Sequence, residues 1–519
     1  MNARLARWTL LLLSCSCAIA QEPAATSAKN TEAQLTQAVQ QLQEQIARLQ
    51  NSVAELHDEA DRYRAETQRL EHRLEAIQAN QAEAMRSPSP SASGTVAGGN
   101  SAEQSPSASP DLRLSRLEDE YGILTGKVDD QYQTKVESAS KYRVRLSGLV
   151  MLNLFANRGV PDSIDTPGVS VPGGVLDGRG SFAGSLRQSQ IGLEAFGPEW
   201  AGANVTGDLR FDFAGGFPDT ENGATLGLMR LRTGNVRFNW SHTSLSAGQD
   251  SPMFSPFSPT SVIALAQPEF SYTGNLWTWV PQLQLQHWMA LGATQRLTFA
   301  AGILDPLTGE PPRSQFDRAA QAGEVSRQPG YSARIGWANP SNEDRPVSLT
   351  VGGYFSPQKW GFDRRVDGWA ATADWQLPLL PRLSMKGEFY RGKALGGFGA
   401  SNGQSVLSSD VLQNQFAVVE GVDTVGGWTQ ASFQATPSLQ INGGYGLDNP
   451  FSAQIRRFAS RQNLLNPELG RNISEMTNVI YRPRSDLLFS IEYRHFMSSR
   501  LTNVRASTEN VGMGIGLLF

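Results

Sequence analysis

The chain has 519 residues, a formal net charge of −4 at pH 7, and 39% hydrophobic residue types. A total charge this close to zero gives no sign of nucleic acid or another strongly charged partner. Beyond the N-terminus no apolar run approaches the roughly 18 residues of a spanning helix, which excludes a helical inner-membrane protein.

Residues 1–20 have the pattern of a secretory signal peptide. Arginines precede a short apolar run, and an Ala-Ile-Ala cleavage site ends at Ala20. A lipoprotein site at Cys15 is the alternative. Cys15 and Cys17 are the only cysteines of the chain, and both would leave with the signal. The mature protein would then be exported and would contain no disulfide framework and no reactive thiolate.

Residues 21–86 are predicted to form a periplasmic coiled coil, because apolar side chains recur in heptads between positions 32 and 85. A single amphipathic helix packed on a globular core is the alternative. β-Branched residues at position a with leucine at position d favour dimeric coils, so the pattern alone specifies neither a trimer nor a peptidoglycan partner. The d positions are Leu35, Leu42, Leu49, Leu56, Tyr63, Leu70 and Ile77.

Residues 87–110 are rich in Ser, Pro, Ala and Gly and nearly free of charge, which predicts a flexible linker. Residues 111–140 contain a second, shorter helical heptad pattern that leads into the first strand. Its apolar positions are Leu114, Leu117, Tyr121, Leu124 and Val128.

From residue 141 to residue 519 the apolar pattern has a period of two, which predicts an all-β domain. In one stretch Leu209 and Phe211 alternate with Arg210, so apolar and charged side chains lie on opposite faces. Charges restricted to one face predict a transmembrane antiparallel β-barrel of about 16 strands, with 14 or 18 as alternatives. The strands begin near Tyr142, Leu186, Ala203, Leu228, Thr243, Pro281, Arg296, Pro329, Pro346, Val366, Arg382, Thr424, Leu439, Ile473, Leu487 and Ser507.

The connections between these strands alternate in length. Long connections are expected at 156–185, 214–225 and 250–280, and short ones at 198–200, 241–242, 292–294, 339–345, 378–381, 436–437 and 483–485. Short turns on one rim and long loops on the other, with both ends of the chain on the short-turn rim, are typical of an outer-membrane barrel. A soluble β-sandwich, the alternative, has no need for this alternation.

The last strand is apolar on one face and mostly glycine on the other, and it ends on Phe519. An exposed apolar edge strand would promote aggregation of a soluble protein. In an outer-membrane barrel the same face would meet lipid, and the strand would pair with the first strand.

Two short motifs carry a family resemblance. Residues 248–257 (GQDSPMFSPF) connect the fifth strand to a long loop, and residues 186–193 (LRQSQIGL) open the second strand. With the overall layout, they resemble the trimeric Gram-negative porins of the phosphate-selective and DcaP-like dicarboxylate type. The resemblance covers most of residues 110–519. It implies a homotrimer in the outer membrane, with Phe519 as the insertion signal for the barrel-assembly machinery.

Arginine is the basic residue of the predicted barrel, and the few lysines depart from the phosphate-specific porins. A lipid-facing arginine would cost about 2–4 kcal/mol near the midplane, so these residues are expected to face the lumen and attract anions. The alternative is pairing with Asp208, Asp212, Asp374, Glu388 and Glu492, which would leave no net selectivity. The predicted anion path is Arg143, Arg145, Arg210, Arg230, Arg232, Arg237, Arg334, Arg382, Lys386 and Arg494.

The long connection at 250–279 is expected to fold inward and constrict the barrel, because its prolines lie beside apolar side chains that can pack on the wall. Its predicted constriction residues are Asp250, Phe254, Phe257 and Glu269. An extracellular cap is the alternative. A change of apolar face within residues 228–240 further predicts a β-bulge near Thr233-Gly234.

These features predict a porin for passive diffusion of small hydrophilic solutes, favouring anions such as dicarboxylates or phosphate. A barrel-anchored tether or adhesin that acts through its coiled coil is the alternative. The histidines are scattered, and His495 with Ser498 and Ser499 is the only combination that suggests catalysis. No enzyme, metal or cofactor is therefore expected, and the expected partners are outer-membrane lipid, further copies of the chain and small solutes.

Overall fold

The computed structural model describes residues 143–174, 178–217, 227–292, 294–310, 318–339, 347–459, 469–501 and 504–519. The signal peptide, coiled coil, linker and second helical segment predicted for 1–20, 21–86, 87–110 and 111–140 lie outside these residues. Within the described ranges no helix is long and apolar enough to cross a membrane, a finding that concerns helices alone.

Sixteen strand positions form one antiparallel wall, and the second position consists of two segments that both pair with the first strand. The strands are β1 Val144–Arg158, β2 Gly180–Ser185 with Gln190–Trp200, β3 Ala203–Asp212, β4 Arg230–Asn239, β5 Thr243–Asp250, β6 Val280–Leu291, β7 Gln295–Leu304, β8 Gly330–Asn339, β9 Val347–Lys359, β10 Arg365–Leu380, β11 Leu383–Lys393, β12 Asp423–Thr436, β13 Leu439–Pro450, β14 Leu469–Tyr481, β15 Leu487–Arg500 and β16 Arg505–Leu518.

The wall closes on itself because β16 pairs with β1, with Leu149 opposite Leu518 and Arg158 opposite Glu509. Closure leaves no free edge, so every strand has hydrogen-bonding neighbours on both sides. The predicted antiparallel barrel of sixteen strands is thus confirmed. Two starts differ from the prediction by more than two residues: β2 begins at Gly180 instead of Leu186, and β14 at Leu469 instead of Ile473.

The two faces of the wall differ in polarity, as the period of two predicts. On β6, Leu283 and Leu285 point outward and are 43% and 51% exposed, whereas Gln284 and Gln286 point inward and are half-buried. The same alternation on β15 places Phe489 and Ile491 outside and Glu492 inside. An apolar outside around a polar inside is the arrangement of a barrel that spans an outer membrane.

The short-turn rim carries tight hairpins and the two ends of the described barrel. The turn after β2 is Ala201-Gly202, with φ of 52° and 75°, because Trp200 still pairs with Ala203. This corrects the turn expected at 198–200. At the closing seam the Gly148 amide donates to the Phe519 carbonyl over 2.8 Å, and the Phe519 amide donates back over 3.1 Å.

The opposite rim departs from strict alternation. Long connections follow β1, β3, β5, β7, β11 and β13, but only residues 360–364 follow β9 and only 501–504 follow β15. The turn after β9 is tight because Gly361, Phe362 and Asp363 all adopt positive φ. Minor elements on the long connections are the helices Ala322–Val325 and Ser452–Ala459, the 3-10 turns Gly396–Phe398 and Ala400–Gly403, and the ribbon of Val406–Ser408 with Val419–Gly421.

A β-bulge lies where the apolar pattern changes face. Arg210 is opposite Thr233 while Phe211 is opposite Leu231, so Arg232 is the extra residue on β4. The bulge restores apolar residues to the outside on both sides of the irregularity. It also turns a cluster of charged side chains toward the same part of the lumen.

Neighbouring residues on β6 provide a direct test of which face meets lipid. We expect Leu285→Arg to lower the free energy of unfolding by about 2–4 kcal/mol, because the charge would face hydrocarbon. Gln286→Arg, its matched control, adds the same charge to the inward face and should be tolerated. Urea titration of the barrel in lipid vesicles measures both variants, and equal losses of stability would contradict the assignment of faces.

Candidate functional site

The connection at residues 251–279, here the inward loop, folds into the barrel. Phe254 is fully buried and stacks on Tyr354 of β9, with ring centroids 4.8 Å apart. Phe398, from the connection after β11, contacts the Phe254 ring edge-on, with the ring centroids 5.0 Å apart. Phe257 is partly buried against the cluster of Phe270, Trp428 and Met476. These aromatic contacts fix the beginning of the loop below the long-loop rim.

Side chains of β10–β12 hold the loop through its backbone and hydroxyl groups. Thr372 donates to the Phe254 carbonyl over 2.8 Å, and the Ser255 hydroxyl donates to the buried Glu388 carboxylate. Gln430 accepts from the Thr260 amide over 2.8 Å and donates to the Thr260 carbonyl over 3.0 Å. A single amide side chain thus replaces the backbone partners that a strand would provide.

The loop then crosses β14–β16 and β1. Ser261 donates to Glu492 over 2.5 Å, and Ile263 packs with Met151 in a buried cluster. Gly512 makes room for this isoleucine, since a Cβ atom there would lie 2.8 Å from its side chain. At the gap in β2, Gln188 accepts from the amides of residues 265 and 266 over 2.6 and 3.2 Å.

The returning half of the loop is fixed by an ion pair. Arg494 of β15 lies 3.1 Å from Glu269 and 3.3 Å from Glu492, and its side chain is only 4% exposed. Asn472 of β14 donates to the Tyr272 carbonyl over 2.9 Å. The predicted pore residues Arg494, on β15, and Glu269, on the loop, therefore bind each other where the loop meets the wall, and neither faces open lumen.

Apart from its two ends and Ala266, the loop contacts mainly β10–β16, β1 and β2, which leaves most of the inward faces of β3–β8 without a loop contact. We call these faces the open wall. Half-buried polar side chains project from it. They include Thr206, Ser244, Ser246, Gln284, Gln286 and Thr298. Away from this wall, near the short-turn rim, a separate cavity of about 400 Å³ is lined by β10, β11 and β12 and includes Gln376, Ser384 and Ser432.

Arg230 and Arg232 share the fully buried carboxylate of Asp212, at 2.7 and 3.6 Å. Both guanidinium groups also lie over the Trp279 ring, 4.7 and 4.8 Å from its centroid. Arg230 donates in addition to the Ala266 carbonyl over 2.7 Å, so these two cations join the open wall to the middle and to the end of the loop.

Two further predicted arginines are paired. Arg237 lies 2.6 Å from Asp208 and 3.3 Å from Asp250, and Asp250 also accepts from Asn235 over 3.1 Å. Arg334 of β8 forms a close ion pair with Asp374 of β10. Most of the predicted arginines on this wall are therefore paired with strand carboxylates. This is the arrangement that the sequence predicts as the alternative to an anion path. Glu388 differs, since its hydrogen bond is to Ser255.

Arg210 differs from the other predicted anion-path arginines of the open wall. Its side chain is exposed, and within the described residues it makes no hydrogen bond or ion pair. It lies one position from the bulge, opposite Thr233 and facing the same lumen as Arg232. Arg210 is thus the predicted anion-path residue whose charge is most available to a passing solute.

The remaining predicted residues lie at other places. Lys386 donates to the Ser258 carbonyl over 2.9 Å and so holds the loop. Arg382 precedes β11 in the turn at the short-turn rim, where it donates to the Ala435 carbonyl over 3.2 Å, which corrects its placement on a strand. At the same rim the guanidinium groups of Arg143 and Arg145 lie 4.4 and 5.7 Å from the Phe196 ring centroid.

The contacts that position the loop include residues that sequence reasoning missed. Gln188, Gln430 and Asn478 are inward, buried and bonded to loop backbone atoms. The signal was present, because an uncharged amide on the inward face of a strand needs a polar partner when buried. Their partner could not be read from the sequence, since it depends on the course of the loop.

Among the described residues, neither a metal-ligand cluster nor the candidate catalytic combination is assembled. No group of three or more His, Cys, Asp or Glu side chains among the described residues could hold a metal ion. His495 points outward from β15, whereas Ser498 is inward and buried, so this candidate combination is not assembled.

Comparison with known proteins bears on the fold. No protein-family model matches the chain, and no curated protein matches it. Among solved structures, the outer-membrane channel DcaP of Acinetobacter baumannii is 18% identical with a TM-score of 0.56, over 74% of this chain and 99% of that one. The chain has the fold of a Gram-negative outer-membrane porin and resembles DcaP.

Two further porins match with lower structural similarity. The anion-selective porin from Comamonas acidovorans is 10% identical with a TM-score of 0.44, over 73% of this chain and all of that one. OprB of Pseudomonas putida is 12% identical with a TM-score of 0.42, over 77% of this chain and 97% of that one.

The anchoring of the loop can be tested on one strand. Gln430→Ala removes both hydrogen bonds to Thr260. Because buried polar groups are then left unpaired, the contact between loop and wall should weaken by about 1–3 kcal/mol. We expect a larger and noisier single-channel conductance in planar bilayers, because the loop would be less firmly held. Gln434→Ala is the control, since Gln434 bonds only to carbonyls of its own turn. Identical traces from both variants would contradict the anchoring role of Gln430.

Proposed function

We propose that the protein is an outer-membrane porin through which small hydrophilic solutes diffuse passively. The observation that carries this proposal is the inward loop, which packs against β10–β16, β1 and β2 and leaves most of the open wall uncovered, so that solutes can pass along it. A wall of half-buried hydroxyl and amide groups can replace water around a hydrophilic solute without binding it tightly. Such a passage restricts solute size while permitting rapid exchange.

The charges of the open wall support a weak preference for anions. On β3–β5, Arg210, Arg230, Arg232 and Arg237 oppose Asp208, Asp212 and Asp250, an excess of one positive charge. Two unit charges 4 Å apart attract by about 1 kcal/mol in bulk water and about 4 kcal/mol at an effective dielectric constant near 20. One available guanidinium therefore supports a several-fold preference, and small carboxylates are the solutes we propose.

The proposed assembly is a homotrimer in the outer membrane, with residues 21–86 as a periplasmic coiled coil. Its support is the predicted heptad pattern and the family resemblance of the sequence. Insertion would depend on the barrel-assembly machinery reading Phe519, and the outward apolar faces supply the contact with outer-membrane lipid. A tether or adhesin would need no passage, so a barrel without ion conductance would support that alternative.

Arg210 provides the test of charge preference. We expect Arg210→Ala to shift the reversal potential in a salt gradient toward cations, because it removes a positive charge of the open wall that has no carboxylate partner. Arg484→Ala is the control: this arginine lies in the turn between β14 and β15 and pairs with Asp486 at 3.1 Å. Its loss should leave the reversal potential unchanged.

An anion-to-cation permeability ratio of one in the parent protein, unchanged in both variants, would contradict the proposed anion preference. That result would leave a general porin for neutral solutes such as sugars. Absence of conductance from folded, inserted protein would contradict the porin function itself.

A further inference from the structure

A cleft lies at the long-loop rim where the barrel closes. Arg158, the last residue of β1, is opposite Glu509 of β16 and Gly180 of β2. Beyond Arg158 the chain leaves the wall, so the first residues of β16 extend further toward the rim than β1 does. The cleft beside them has a volume of about 820 Å³, and we call it the seam cleft. Its lining includes Arg158, Val160, Arg179, Arg505, Ser507 and Glu509.

The backbone fixes the residues of the seam cleft in place. Gly159 adopts a φ of 98°, and its amide donates to the Arg179 carbonyl over 3.1 Å. A Cβ atom at Gly159 would lie 2.5 Å from the Ser507 carbonyl oxygen, so glycine permits a close approach to β16 that other residues would prevent. Arg158 and Arg179 are thereby held next to the first residues of β16.

The seam cleft carries an excess of positive charge. Three arginines and one carboxylate line it, which leaves two positive charges in excess. Arg158 lies 3.5 Å from Glu509, but its side chain is 84% exposed, so most of its five N–H donors remain available. Within the described residues the side chains of Arg179 and Arg505 make no hydrogen bond and no ion pair.

Other outward cations near the long-loop rim are paired more closely. Lys359, the last residue of β9, lies 3.1 Å from Asp363, and Arg365, the first residue of β10, lies 2.8 Å from Asp367. Each of these cations has its own carboxylate. The seam cleft differs because its three arginines share Glu509 alone among the described residues that line it.

The seam cleft lies at the border of the apolar band on the outer surface. Glu509 precedes Phe519 by ten positions, which is about 25 Å at roughly 3.3 Å per residue and a strand tilt near 40°. An outer-membrane barrel has an apolar band about 25 Å tall, so Glu509 marks its upper edge. The next outward row toward the membrane is apolar and consists of Phe182, Ala156 and Val511, with Phe182 74% exposed.

The charged residues of the seam cleft share the outward face with this apolar row. The alternation of β16 places Arg505 and Glu509 on the same side as Val511, and that of β1 places Arg158 on the same side as Ala156. Cations therefore lie directly above apolar side chains, on the side of the wall that faces lipid and at the rim that carries the long, external loops.

We propose that the seam cleft binds the phosphate-bearing headgroup of a lipid in the outer leaflet. Arginine binds phosphate through a fork of N–H donors, and clusters of basic residues at a membrane border recognise anionic headgroups. The cleft volume is within the range of about 300–1,000 Å³ that encloses ligands of drug size, so a headgroup of one or two sugars fits.

Continuity with the apolar row favours a lipid over a free anion. A free phosphate would use the arginines alone, whereas a lipid would also place its acyl chains against Phe182 and Val511. The inference goes beyond the passage of solutes, because the seam cleft lies outside the lumen and needs only the placement of the barrel in the outer membrane.

A binding titration with matched variants tests the arginines. Purified full-length protein in detergent micelles is titrated with fluorescent diphosphoryl lipid A, whose sugar headgroup carries two phosphates. The double variant Arg179→Gln, Arg505→Gln should bind it at least about tenfold more weakly, because charge-assisted hydrogen bonds are lost. The control, Lys359→Gln with Arg365→Gln, removes two outward cations of the same rim and should bind as the parent does. No loss in the first variant, or an equal loss in the control, would overturn the proposal.

Glu509→Gln tests the same site with an effect of opposite sign. It removes the carboxylate that competes with a phosphate for Arg158, so diphosphoryl lipid A should bind several-fold more tightly than it does to the parent. Unchanged or weaker binding would count against the seam cleft as the binding site.

Two further probes separate the phosphate from the acyl chains and the lipid from a free anion. Lipid A without its phosphates should bind the parent at least about tenfold more weakly; equal binding would overturn recognition of the headgroup. Inorganic phosphate at millimolar concentration should leave diphosphoryl lipid A bound, and displacement would assign the cleft to a free anion instead. None of these titrations measures conduction, so a failure here leaves the test of the porin function unaffected.

Discussion

The constraint on which the structure depends is the need to pair every backbone amide and carbonyl that faces hydrocarbon. A sheet can meet it only by closing, and the register of β16 against β1, ending at the mutual hydrogen bonds of Gly148 and Phe519, completes that closure. Once the wall is closed, the period of two separates an apolar outside from a polar inside. Away from the two rims, the enclosed space is then where charged side chains of the strands can be hydrated.

The inward loop uses this polar interior as its binding surface. Its aromatic residues pack near the long-loop rim, but along β11–β15 it is held mainly by polar side chains such as Gln430, Glu492 and Arg494. Several of these groups are charged, so removing one partner would leave a buried polar group without compensation. The loop is therefore a fixed partition, and the passage that remains takes its chemical character from β3–β8.

The sequence predicts the strands better than it predicts the site. Alternation such as that of Leu283, Gln284 and Leu285 depends only on neighbouring residues, and the bulge at Arg232 follows from a break in the same local pattern. The fate of an inward charge depends instead on residues distant in sequence. Arg210 and Arg494 both face inward, yet one is exposed and the other is buried against Glu269, and that difference follows from the course of the loop.

The central claim is that solutes pass along the open wall and not behind the loop. Introduced cysteines test it, because the natural ones are confined to the predicted signal peptide. A charged, membrane-impermeant thiol reagent is added to channels in a planar bilayer that carry Ser246→Cys, on the open wall, or Ser474→Cys, fully buried on the inward face of β14. The account predicts a lasting fall in current for Ser246→Cys and none for Ser474→Cys. A fall in current for Ser474→Cys alone would contradict it.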